Sequence, residues 1–121
     1  CPMLDARRRE VYCARYRFEA GRLVELAPET VCAPEDAVRD LAAPCVLIGD
    51  GALAYRSRLQ ALLGCDFEMA PAFQHPIRAG VLAHIARPRL ERSENDLQTL
   101  VPMYLRPSYA QEPIDNRDNN R

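Results

Sequence analysis

Glu10-Val11-Tyr12-Cys13-Ala14-Arg15-Tyr16-Arg17-Phe18 is the stretch whose reading decides the fold. Tyr12, Ala14, Tyr16 and Phe18 fall on one side of a two-residue repeat, and Arg15 and Arg17 fall on the other. That period predicts a half-buried strand with the aromatic set turned inward. Glu19-Ala20-Gly21-Arg22 then reads as a tight turn, since Gly21 accepts positive φ. Leu23 to Val31 reads as the returning strand. On the other side, Pro2 to Asp5 predicts a short strand that reaches the first through the Arg7-Arg8-Arg9 run. The chain up to Val31 is therefore expected to form an antiparallel meander.

Beyond Val31 the pattern changes. Pro34 suits the first position of a helix, Glu35 and Asp36 complement its positive end, and Ala37, Val38 and Leu41 give it an apolar side. Cys45-Val46-Leu47-Ile48 is continuously apolar, as expected of a strand covered on both faces. Gly49-Asp50-Gly51 turns into a second helix with Tyr55, Leu59, Leu62 and Leu63 in one stripe, stopped by Gly64. Cys65 to Ala70 reads as a fifth strand. A third helix is expected from Pro76 to Pro88, with Ile77, Val81, Leu82 and Ile85 on its buried side. The order β-β-β-α-β-α-β-α implies an α/β domain with a mixed sheet, three antiparallel strands followed by alternating helix and strand. This is the order of the ribonuclease H-like fold, the half-domain unit of the actin/Hsp70-like superfamily. Residues 87–100 read as a polar loop and Val101 to Arg106 as an extended strap that docks on the body. Residues 1–110 thus form one domain, and 111–121 read as a mobile polar tail.

Composition narrows the function classes. Apolar residues make up 48% and charged residues 27% of the chain, the mix of an ordinary globular domain. The net charge of −1 gives no global pull toward nucleic acid or anionic lipid. Residues 1–22 carry a local balance of +3, which fits a charge-protected hairpin edge or a contact to RNA. Five cysteines without a CxxC fit free thiols in a reducing cytoplasm better than a disulfide framework. No apolar run approaches the ~20 residues that cross a bilayer.

Few residues are placed for chemistry. Asp5 on a first strand could join a two-metal site, but the other candidate carboxylates, Asp50 and Asp66, stand alone at strand ends. Acceptance of backbone hydrogen bonds at the turn explains Asp5 more simply. Gly49-Asp50-Gly51, between a strand and a helix, is the geometry that lets backbone N–H groups meet a phosphate or ribose, and tight strand–helix links use such glycines for steric reasons as well. His75 and His84 lack metal-ligand spacing, and His75 before Pro76 can cap a helix. None of the three serines sits in a nucleophile elbow. In Tyr104-Leu105-Arg106-Pro107 a strap would bury Tyr104 or Leu105 and leave Arg106 outward or paired with an acid.

Two blocks carry a resemblance. Asp5-Ala6-Arg7-Arg8-Arg9-Glu10-Val11-Tyr12 resembles the "DAR-x-GEVY" block of the TsaB (YeaZ, glycoprotease-like) family of bacterial tRNA threonylcarbamoyladenosine biosynthesis proteins. Pro102-Met103-Tyr104-Leu105-Arg106 resembles its closing "P-V-Y-L-R". Arg9 departs from the family's usual Gly, Cys13 from a frequent aromatic and Val101 from a common acid. The resemblance implies the second half of such a protein, with the N-terminal subdomain absent from this chain. It also implies a non-catalytic scaffold without a cofactor of its own. Such a scaffold binds a TsaD-like transferase and a TsaE-like ATPase, and meets tRNA through the complex in the cytoplasm. Gly49, Asp50 and Gly51 would then be a worn nucleotide-binding loop, and a homodimer is a further possibility. Two other classes stand beside this reading: a nucleotide-binding phosphotransfer enzyme of the same superfamily, and a small RNA-binding module using the Arg7–Arg17 hairpin.

Overall fold

Two antiparallel hairpins open the chain. The computed structural model describes residues 1–64, 67–91 and 101–106. Strand β1 (Met3–Arg7) pairs with β2 (Glu10–Glu19), and β2 pairs with β3 (Arg22–Cys32). Ala20 and Gly21, at φ of 47° and 77°, link Glu19 to its partner Arg22. Positive φ at both central positions matches the twist of the flanking strands.

The first link is more strained. Arg7, Arg8 and Arg9 all lie in the left-handed region, at φ of 62°, 53° and 64°. That conformation costs a residue bearing Cβ roughly 1–2 kcal/mol. Arg9→Gly is therefore expected to stabilise the fold by about 0.5–1 kcal/mol, after subtracting the freedom Gly adds to the unfolded chain. The measurement is a urea midpoint that rises at unchanged slope.

Helix α1 (Pro34–Val38) begins on Pro34 with Glu35 and Asp36 in its first turn, as its sequence dictates. Strand β4 (Cys45–Leu47) leads into α2 (Asp50–Ala54) and α3 (Arg56–Leu63), then β5 (Phe67–Met69), a 3₁₀ turn (Ala72–Gln74) and α4 (Ala79–Glu91). Strands β4 and β5 pair in parallel. A parallel bridge between Pro2 and Ile48 joins this pair to the meander. There the Met3 N–H donates to the Ile48 carbonyl at 2.7 Å, and the Ile48 N–H to the Cys1 carbonyl at 3.2 Å. The strands therefore run β3-β2-β1-β4-β5, a mixed α/β arrangement of three antiparallel strands followed by helices and parallel strands.

One face of this sheet holds the core. Met3, Val11, Cys13 and Leu47 pack against Ala37, Val38, Ala52 and Leu59 of the first three helices. Leu59 is wholly buried, which favours folding by roughly 1.5–3 kcal/mol. Arg15 ties β2 to the end of α1 by donating to the carbonyls of Ala37 at 3.1 Å and Arg39 at 2.6 Å. These are carbonyls a helix end leaves without partners of its own.

Four expectations from the sequence are corrected. The fully buried positions of β2 are Val11, Cys13 and Ala14; Tyr12 and Tyr16 are half-buried, and Phe18 is 73% exposed. The helices cover the Val11 and Cys13 side, and irregularities at Cys13–Arg15 and Arg15–Tyr16 shift the alternation beyond them. The single helix expected after Gly51 breaks at Tyr55 into α2 and α3, which leaves Leu62 exposed. Strand β4 is covered on one face only, with Val46 47% exposed on the other. Helix α4 begins at Ala79 instead of Pro76 and continues through Pro88. Ile77, Val81, Leu82 and Ile85 are exposed there, because they flank an open groove of about 450 Å³ with Pro2, Leu4 and Ile48 instead of pressing onto the sheet.

Candidate functional site

The two end blocks meet in space. Arg106 donates through Nη1 to the Ala6 carbonyl at 3.1 Å and forms an ion pair through Nη2 with the Glu10 carboxylate. Its guanidinium also lies over the Tyr12 ring, 5.9 Å from the centroid. A planar fork with several donors suits this combination of carbonyl, carboxylate and aromatic face. Leu105 is half-buried beside it, whereas Tyr104 is 83% exposed. Beneath this strap a cavity of about 340 Å³ is lined by Leu4, Tyr12, Ala14, Tyr16, Met103 and Leu105. Glu29 accepts from the Tyr16 hydroxyl at 3.1 Å on its rim.

Residues that read as separate motif positions thus form one clasp. Ala6, Glu10 and Tyr12 contribute a carbonyl, a charge and a ring, and Val11 faces away into the core. Asp5 and Arg7 hold the turn: the Asp5 carboxylate accepts from the Arg7 N–H at 2.9 Å and pairs with its guanidinium at 3.2 Å. Replacing Arg106 by Ala is expected to cost about 1–2 kcal/mol, the worth of charge-assisted bonds discounted for partial exposure. The fall in the urea midpoint measures the loss, and Arg106→Lys should recover only part of it.

The Gly49-Asp50-Gly51 turn is built against β1. A Cβ on Gly49 would stand 2.1 Å from the Met3 carbonyl oxygen, and one on Gly51 would stand 2.8 Å from the Leu4 carbonyl carbon. Gly49 itself lies at φ 112°. The Asp50 carboxylate accepts from the Asp5 N–H at 3.1 Å and the Gly51 N–H at 2.9 Å. The Gly49 N–H is 3.1 Å from Nδ1 of His75, whose Nε2 is 2.7 Å from the Ala70 carbonyl. Nδ1 also lies 3.0 Å from the Gly49 carbonyl, so the ring faces both backbone groups of Gly49.

His75 is buried and bolts the turn after β4 to the segment after β5, a role different from the helix cap its sequence context suggests. Its signal in the sequence was limited to standing between an expected strand and a proline. Arg15 is the second such residue, and the alternation alone placed it facing solvent. Among the described residues no group of three His, Cys, Asp or Glu side chains converges as a metal site. No helix among them is long and apolar enough to cross a membrane.

Fold and site together define a mixed-sheet α/β module that an arginine clasp closes from end to end. The chain is 27% identical over 113 residues to the tRNA threonylcarbamoyladenosine biosynthesis protein TsaB of Bacillus subtilis (strain 168), a match covering 91% of this chain and 48% of that protein. It is a distant, partial relative of TsaB, and it spans about half the length of that curated relative. No family model matches the chain.

Proposed function

We propose that this chain supplies one ribonuclease H-like subdomain, over residues 1–110, of a TsaB-like scaffold in the formation of threonylcarbamoyladenosine in tRNA. The observation that carries this reading is the alignment with TsaB across 91% of the chain. The clasp adds to it, because both blocks that resemble the family contribute side chains to one structural device. The role is binding without catalysis. Its partners are a TsaD-like transferase and a TsaE-like ATPase, with tRNA reached through them in the cytoplasm. Exposed apolar residues along α4 and on the open face of β4 favour such a role, since contiguous patches of this kind mark contact surfaces. In this reading Gly49, Asp50 and Gly51 serve packing, with the Gly49 and Gly51 N–H groups engaged by His75 and Asp50.

Reconstitution tests the proposal. Transferase, ATPase, tRNA, ATP and threonylcarbamoyl donor are combined with and without this chain, and modified adenosine is measured by mass spectrometry of digested tRNA. Modification that depends on the chain, together with its co-purification with the transferase, is the expected result. Equal modification in its absence would overturn the proposal. Calorimetric heat on adding ATP to the chain alone would favour the nucleotide-binding enzyme instead.

A further inference from the structure

Cys13 of β2 and Cys32 of β3 sit on the same face of neighbouring antiparallel strands. Val11 pairs with Cys32 and Cys13 with Thr30, so the two cysteines are diagonal neighbours. Their Sγ atoms are 3.7 Å apart, in contact but unbonded. Cys13 is buried among Val11, Met3 and Val38, whereas Cys32 is partly exposed at the rim. The other described thiols, Cys1 and Cys45, lie elsewhere, at the junction of β1 and β4.

We propose that Cys13 and Cys32 form a reversible modification site, a dithiol that closes to a cross-strand disulfide by exchange with a small disulfide such as oxidised glutathione. The chemistry follows from the exposure of the pair. Cys32 as thiolate attacks one sulfur of the small disulfide, and the other sulfur leaves as a thiolate that takes up a proton. Cys13, once deprotonated, then attacks the Cys32 sulfur and expels the second small thiolate. The two electrons lost by the protein thiols reside in the two small thiols released, and atoms and charge balance. The same order runs backward with an excess of small thiol.

Two physical features set the character of the site. Burial, followed by the hydrogen bond that the Cys32 S–H makes to Cys13, pushes the Cys32 thiol up to about 12. Closure begins with the Cys32 thiolate, so it quickens as pH rises. The sulfur atoms must also move from 3.7 Å to a bonding distance of about 2.0 Å, which asks the strands to draw together. Excess small thiol reopens the bond by the reverse exchange.

The whole chain serves as its own assay, because cleavage after arginine places every cysteine in a different peptide: Cys13 in residues 10–15 and Cys32 in residues 23–39. The protein is incubated with oxidised glutathione at pH 7, 8 and 9, free thiols are blocked, and the digest is mapped by mass. The expected result is a cross-link between those two peptides that forms faster at each higher pH and disappears with excess reduced glutathione. In Cys13→Ser the expected product is glutathione retained on Cys32. Three outcomes would overturn the proposal: no linked pair at any pH, a cross-link that selects Cys1 and Cys45 instead, or a mixed disulfide on Cys32 that persists in the unmutated protein. The mapping on the unmutated chain decides the matter even if Cys13→Ser folds poorly.

Discussion

Gly49→Ala is expected to destabilise the protein by roughly 3–5 kcal/mol, enough to unfold much of the population of a small domain. Two costs combine. The φ of 112° is open to glycine and strained for alanine, at about 1–3 kcal/mol. The added Cβ would also lie 2.1 Å from the Met3 carbonyl oxygen, and that atom is backbone in the centre of the sheet. Relief requires α2 to retreat from β1, with loss of the bond from the Asp5 N–H to Asp50. Thermal melts by circular dichroism measure the effect. Gly80→Ala is the control, since a Cβ there meets nothing within 4 Å and replaces a helical glycine. It should leave stability unchanged or raise it by up to about 1 kcal/mol. Similar melts for the two variants would show that the turn is not packed as described.

His75→Ala is expected to cost about 2–4 kcal/mol. It removes a buried ring and strands the Ala70 carbonyl and the Gly49 N–H without partners, each unmade bond costing about 1–3 kcal/mol before relaxation. Single-atom mimicry separates the two bonds. Gln carries a donor near the position of Nε2 and restores the contact to Ala70, whereas Asn carries an acceptor near that of Nδ1 and restores the contact to Gly49. Each should recover part of the loss in chemical denaturation. If neither did, the ring would matter for its volume alone.

Much of the architecture was legible because it rests on local chemistry. Ala20-Gly21 declares a hairpin, Pro34 with Glu35 and Asp36 declares a helix start, and the succession of elements follows from those marks. The buried face of β2 was less legible for a specific reason. Both of its faces are apolar enough to be core, Val11 and Cys13 on one and Tyr12, Ala14 and Tyr16 on the other, and the choice lies with helices distant in sequence. The apolar stripe of α4 likewise gave the helix and not its cover. The site was legible only in pieces. The two end blocks stood out as motifs, but nothing in either said that Arg106 reaches Ala6 and Glu10. The contacts of His75 and Arg15 were not legible because their partners are backbone atoms, which carry no signature in sequence.

The clasp joins residues far apart along the chain, with sequence separations of 100 to Ala6 and 96 to Glu10. Closing so long a loop on a few side-chain contacts repays its entropy only after the sheet exists to receive the strap. The contact is therefore expected to form after the folding barrier, with Arg106→Ala leaving the refolding arm of the chevron unchanged and raising the unfolding arm. An interaction made that late leaves the refolding rate alone and slows unfolding. On that expectation Arg106 lengthens the lifetime of the native state and leaves the rate of reaching it unchanged.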